Sequence, residues 1–339
     1  MLVAGDLGGT KALLLLATRR QGRLQPLLER RYAAADYSDF AAMLACFLGE
    51  CRELRKRELR LTAACFGAAG PVAGNCVQMT NLPWRLDARA IAAEFGIGRV
   101  HLVNDFEAAA AGVDVLEPGD SVELQRGEPL PQAPRVVLGA GTGLGVAYAF
   151  AQGGRWHIVA GEGGHAGFAP ADEAQIRLWQ ALRPGLGRVS AEHVVSGPGL
   201  MRIYASLCAE SAPGAQPDAD LRREGAAAVS RRALDGTDPL ALRALDVFLA
   251  CYGALAGDHA LGVLARGGVY IAGGIARQVL GRLRDGGFLS AFCAKGAHAP
   301  LMRRMPLCVV TTERLGLLGA ATIAANAGRR PVAFDNCQR

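Results

Sequence analysis

Two glycine turns, Asp6 to Thr10 (DLGGT) and Gly139 to Gly145 (GAGTGLG), each carry a threonine hydroxyl at the same place and lie about 130 residues apart. Glycine removes the Cβ that would hold an anion away from backbone N–H groups, and threonine adds a hydroxyl donor. Phosphate is the ligand this chemistry fits. Aligned, VAGDLGGTKALLLLA and VLGAGTGLGVAYAFA repeat one layout of apolar strand, glycine turn and second apolar strand, which predicts a duplicated β-hairpin. The plain alternative is two ordinary hairpins whose glycines supply positive φ. Finding both together weighs against it.

Further along, the strand VHLV at 100 to 103 runs directly into Asn104 and Asp105, and a helix begins immediately after. A side chain at the C-terminal end of such a strand in an α/β sheet faces the ligand crevice. A carboxylate there can accept a proton from a hydroxyl as its oxygen attacks phosphorus. The competing role is helix capping, which Asn and Asp favour. Two more carboxylates stand out, Glu162 in GEGGH with the nearby imidazole of His165, and Glu192 in SAEHV. An acceptor-only carboxylate beside an amphoteric ring suits a vicinal diol. Read singly, His165 is a structural residue, Glu192 a favourable first-turn helix charge and Asn81, in TNLPW, a turn residue. AGGIA at 272 to 276 follows the strand VYI and leaves open surface for a base or phosphate, unless it is only a tight strand-to-helix connection, and SGPGL at 196 to 200 reads the same way.

The elements needed to carry these residues alternate along the chain. Strands are predicted through the first hairpin, near 23 to 32, at 61 to 67 and at 100 to 103, with helices at 39 to 57, 87 to 95 and 106 to 112. A loop with Pro118, Gly119, Gly127, Pro129, Pro131 and Pro134 then leads to the second hairpin, 136 to 160, and marks a boundary near 110. Beyond it come a helix at 171 to 182, a largely helical region 190 to 265 broken by SAPGAQPDAD, the strand GGVYIAGG, a strand near 306 to 311 and a small-residue helix at 315 to 327. The last residues read as frayed.

With 339 residues, half of them apolar, two domains with real cores are expected. Nine cysteines without a CxxC pair indicate neither a disulfide framework nor a zinc cluster, so a reducing cytoplasm fits. The start, MLVAGDLGG, lacks the basic and unbroken apolar regions of a signal peptide. Uncharged stretches at 61 to 84 and 136 to 154 read as buried strands and turns, given their glycines and polar residues, and not as membrane spans. A formal charge of +6 attracts polyanions in general. The densest basic run, RELRKRELR at 52 to 60, holds Glu53 and Glu58 where they can pair along a helix, and no nucleic-acid motif is present.

In series, GDLGGT, GPV with TNLPW, LVNDFEA, GAGTGLG, GEGGHAGFAP, SAEHVVSGPGL, VYIAGGI and LGLLGA resemble the bacterial glucokinase family, the ATP-dependent, non-ROK branch of the actin and hexokinase superfamily. The likeness spans nearly the whole chain. It implies an α/β, two-domain actin-like ATPase/hexokinase (ribonuclease H-like) fold with duplicated glycine-turn hairpins. The smaller α/β domain would hold residues 1–110 plus 311–339 and the larger 111–310, with the active site in the cleft between them. By motif match Asp105 would be the general base on the glucose 6-hydroxyl, with Asn81, Asn104, Asp105, Glu162, His165 and Glu192 binding the sugar. Asp6, Gly8, Gly9 and Thr10 would form one phosphate loop, Gly141, Thr142 and Gly143 the other, and Gly273 and Gly274 the adenosine side. ATP and Mg2+ are implied, the ion with the nucleotide and oriented by Asp6 through water. So are a cytoplasmic location, a homodimer, and no nucleic-acid or membrane partner.

One segment departs from the family. GGT is usually followed by Asn, a small residue and Arg, whereas this chain has Lys11, Ala12 and Leu13. Lys11 resembles the ROK version of the turn and can supply the missing charge. The tail 331 to 339 has no counterpart. Other readings are a kinase for mannose, fructose or an N-acetylated amino sugar, and a sugar sensor without turnover. A sensor would lose Asp105 or Thr142, and ROK repressors add an N-terminal helix-turn-helix; a chaperone-like or filament-forming ATPase would not need the sugar carboxylates.

Overall fold

The computed structural model describes residues 1–20, 23–56, 59–212 and 214–327. The expectations for the tail 331 to 339, and for pairs involving Arg57 and Glu58, lie outside the described residues. The chain divides into two compact units, Met1–Leu116 with the segment from Arg314, and Glu117–Glu313.

In the first unit a five-stranded sheet has the order β3-β2-β1-β4-β8. Its strands are β1 (Leu2–Leu7), β2 (Lys11–Arg20), β3 (Arg23–Ala33), β4 (Ala63–Ala68) and β8 (Val100–Asn104). β5 (Val72–Ala73), β6 (Cys76–Gln78) and β7 (Arg85–Asp87) form a small sheet between β4 and β8 in sequence. Successive β2 side chains point to opposite faces. Leu14 and Leu16 therefore join Met43, Phe47 and Leu48 of α1 (Phe40–Arg55), while Leu13 and Leu15 join Leu317, Ala320 and Ala324 of the C-terminal helix Leu315–Asn326. The remaining helices here are α2 (Ala88–Phe95) and α3 (Asp105–Gly112).

The second unit repeats the plan. Its six-stranded sheet runs β12-β11-β10-β13-β14-β9, in the strands β9 (Ser121–Gln125), β10 (Arg135–Ala140), β11 (Leu144–Gln152), β12 (Arg155–Gly161), β13 (Gly268–Ala272) and β14 (Leu307–Val310). In both sheets an antiparallel hairpin, β1–β2 or β10–β11, is followed by a parallel neighbour, β4 or β13. The duplicated hairpin thus extends to a duplicated half-molecule. The helices are α4 (Glu173–Leu186), α5 (Gly197–Ser211), α6 (Ala219–Glu224), α7 (Ala226–Leu234), α8 (Pro239–Val263), α9 (Gly274–Gln278), α10 (Leu280–Arg284), α11 (Gly287–Cys293) and α12 (Ala299–Met302), and the C-terminal helix of the first unit is α13.

Two local expectations change. The segment taken as a Pro- and Gly-rich loop contains β9, whose residues are mostly half-exposed and which gains its strand hydrogen bonds only by pairing antiparallel with β14. Helix α4 continues through Pro184 to Leu186. α8 is long and apolar enough to cross a membrane by length and composition alone. Its Leu245, Phe248, Tyr252 and Ala256 are instead fully buried in the core of the second unit. The uncharged stretches 61 to 84 and 136 to 154 are β4 to β6 and β10 to β11 with their turns.

Candidate functional site

In the first unit the β1–β2 turn closes with Gly8 N–H donating to Lys11 O at 3.0 Å. None of Gly8, Gly9, Gly141 and Gly143 has positive φ. The alternative in which these glycines only supply that conformation therefore fails; they supply space. A Cβ on Gly9 would stand 2.8 Å from Cβ of Asn81, so the TNLPW segment packs on the turn. Gly67 likewise lets β4 approach the start of α3, since a Cβ there would lie 2.8 Å from Ala108 Cβ.

That approach brings Asp105 near Asp6. Burial and the negative charge of Asp105 push the Asp6 carboxyl from 3.8 up to about 7, with Lys11 acting in the opposite direction. Lys11 thus supplies positive charge to this turn. Asp6 also faces the first turn of α13, where a Cβ on Gly316 would meet its Oδ2 at 2.7 Å. The capping question resolves in favour of Asn104, which is the N-cap of α3 and accepts Phe106 N–H through Oδ1 at 2.9 Å. Its Nδ2 lies 3.5 Å from Gly70 O. Asp105 is the first helical residue, and its Oδ1 also lies 2.9 Å from Phe106 N.

In the second unit three motifs are knotted around Glu192. Its Oε2 accepts Leu144 N–H at 2.8 Å, and its own N–H donates to Gly164 O at 2.8 Å. One residue thereby joins the GAGTGLG turn to the GEGGH turn. Gly143 is glycine because a Cβ would fall 2.6 Å from Glu192 Oε2. Glu192 is not a first-turn helix charge. It lies in a turn ahead of α5, whose N-cap is Ser196, and that turn is pinned by Ser190 N–H donating to His193 Nδ1 at 3.0 Å. Glu162 precedes and His165 ends a short helical turn, Gly163–His165, with His165 Nε2 3.9 Å from Glu162 Oε2 and side chains 63% and 76% exposed for His and Glu respectively. A carboxylate and an imidazole are thus offered side by side to solvent.

A cavity of about 470 Å³ lies beside the second turn, in the size range of small-molecule sites. Gly141 and Thr142, Gly197 and Pro198, and Gly274 and Ile275 all line it, uniting the GAGTGLG, SGPGL and AGGIA motifs. A Cβ on Gly141 would meet nothing within 4 Å, so its backbone is open to a ligand, and Gly197 N–H donates to Gly141 O at 2.8 Å. At Gly273 φ is +92°, which lets the chain turn from β13 into α9 while passing 2.6 Å from Ala140 O at the Cβ position. The remaining wall, Met201, Glu224 to Ala227 and Gln278, was not foreseen. It comes from four helices, α5, α6, α7 and α9, at positions outside the glycine motifs. Glu224 is held there by Arg231 at 2.6 Å.

All the residues singled out by sequence therefore fall into two groups. Asp6, Gly8, Gly9, Thr10, Asn81, Asn104 and Asp105 belong to the first unit, and Gly141, Thr142, Gly143, Glu162, His165, Glu192, Gly273 and Gly274 to the second. Among the described residues no group of three His, Cys, Asp or Glu side chains is placed to hold a metal ion by itself.

The family model described as Glucokinase matches residues 3–327. The chain belongs to the glucokinase family. A glucokinase from Nostoc sp. is 38% identical over 342 residues, covering 96% of this chain and 99% of that one. One from Synechocystis sp. is 40% identical over 345 residues, covering 95% and 97%. Among solved structures, glucokinase from an Antarctic psychrotroph superposes with a TM-score of 0.83 at 27% identity, covering 96% of this chain and 98% of that one. As a glucokinase-family fold the duplicated sheets are the two halves of the actin-like hexokinase architecture.

Proposed function

We propose that the protein transfers the γ-phosphoryl group of ATP to the 6-hydroxyl of glucose. The observation that carries this reading is the knot at Glu192, which fixes an exposed carboxylate and imidazole pair against a glycine turn bordering a nucleotide-sized cavity. Family membership supplies the reaction class. Glu162, His165, Glu192, Asn104 and Asn81 grip the sugar hydroxyls, which orients the 6-hydroxyl and accounts for a large part of the rate. The adenosine lies in the cavity by Gly273 and Gly274, and the phosphates meet the backbone of Gly141 to Gly143 and of Gly8 to Thr10.

Asp105 is the base. As the 6-oxygen attacks the γ-phosphorus and the bond to the β-phosphate oxygen breaks, the hydroxyl proton passes to its carboxylate, leaving glucose 6-phosphate and ADP. Positive charge belongs in this place, because Asp6 already carries a raised pKa beside Asp105. Asp6 would hold Mg2+ through water, and the ion would supply neutralisation of the phosphate charge. The same reading makes the protein a cytoplasmic homodimer, which sedimentation of the purified chain would check.

A coupled ADP-release assay over a panel of hexoses with ATP and Mg2+ tests the reading. Glucose should give the highest kcat/KM. A preference for mannose, fructose or an N-acetylated amino sugar would replace the substrate, and binding without turnover on every sugar would replace the kinase with a sensor.

A further inference from the structure

Glu162 and His165 are exposed and their side chains meet only loosely, while the turn between them has no side-chain cap. Their aim is therefore set by the backbone of Gly163 and Gly164. Both glycines are pressed against neighbours. Gly164 sits on Leu144 O, and a Cβ on Gly163 would meet His259 Cε1 at 2.7 Å on one side and Val146 Cβ at 3.1 Å on the other.

His259 comes from α8, about 100 residues along the chain from the turn it touches. Its Nδ1 is bonded to the Tyr148 hydroxyl at 2.7 Å, the tyrosine standing in mid-β11, and the two rings are 6.0 Å apart. Whichever partner donates, the bond fixes the plane of the imidazole. Burial lowers the His259 pKa and raises that of Tyr148, so both stay neutral at physiological pH. The other ring nitrogen, Nε2, is buried without a hydrogen-bond partner among the described residues. An apolar side chain of similar size would avoid that cost. The imidazole is explained by what its bonded side does, which is to hold a flat, rigid edge against Gly163.

We propose that His259, locked by Tyr148, is a positioning residue that sets the Glu162–His165 turn and so the affinity for the sugar. The inference rests on the sugar-kinase reading above. Because the contact is to the sugar-gripping turn, it acts on one substrate more than the other.

Steady-state kinetics of the full-length chain test it, with KM for glucose and for ATP measured separately. His259→Ala should raise the glucose KM about tenfold and Tyr148→Phe about threefold, with the ATP KM within about twofold of wild type. His259→Asn, whose amide can take the place of Nδ1, should restore much of the loss. Gly163→Ala should weaken glucose binding further, and adding His259→Ala should recover part of it by removing the ring the new Cβ strikes. Equal rises in both KM values would overturn the proposal, as would a double variant no better than Gly163→Ala. If His259→Ala does not fold, Tyr148→Phe decides alone, since it removes one oxygen. A wild-type chain that neither binds nor phosphorylates glucose removes the functional reading and this inference together. An active wild type with unchanged His259 and Tyr148 variants removes this inference only.

Discussion

Asn104 takes the N-cap position of α3, so helix capping does not account for Asp105, which stands one residue on as the first helical residue. Asp105→Asn keeps the size and should keep glucose binding, measured by titration calorimetry, while lowering kcat about 10²- to 10⁴-fold. A variant with near wild-type turnover would defeat the assignment. Asp6 makes a separate prediction. Its native pKa of about 7 lies above the unfolded 3.8, so the native state binds more protons between those values and loses stability as pH rises through them. Below the window the cost is absent, and above it the cost is complete. In metal-free buffer, denaturation should therefore show the stability of Asp6→Asn relative to wild type growing from pH 4 to 7, by at most about 1.4 kcal/mol per pH unit. Parallel curves would mean that Asp6 carries no such strain.

At the scale of elements, the site depends on close approaches that only glycine permits. α13 starts against Asp6, and Gly319 packs on Ala108 O while Gly112 packs on Leu315 O, so α3 and α13 cross at backbone distance. The helix N-terminus lends its partial positive charge to the Asp6 side, worth roughly 0.3–1 kcal/mol. Gly316→Ala would drive a methyl into the Asp6 carboxylate. It should destabilise the protein by roughly 1–3 kcal/mol, as overpacking does, and raise the ATP KM. Unfolding midpoints and KM values indistinguishable from wild type would show that the approach has no functional weight.

For the whole molecule, residues assigned to one reaction are carried by two units. If both sets act on one substrate, the units would have to close on it, which would exclude water and protect ATP from hydrolysis. Glucose should therefore reduce the radius of gyration measured by small-angle scattering. A sugar that binds without compaction would argue for a site assembled before binding.

Local pattern alone settled much of this protein. The two strand-turn-strand segments, the helix after VHLV and the small-residue helix at the end are written in apolar runs and glycine positions, as is the place of Asp105 directly after a strand. What the tertiary structure decided involves partners remote in sequence. β9 is a strand because β14 lies beside it, and Gly9 and Gly143 are glycines because Asn81 and Glu192 occupy the space a Cβ needs. The tie from Glu192 to Leu144, and the ring of His259 behind Gly163, join segments 48 and about 100 residues apart. Hydrophobic period and turn chemistry are properties of a short window, whereas a hydrogen bond or a steric stop between distant segments exists only once the core has brought them together.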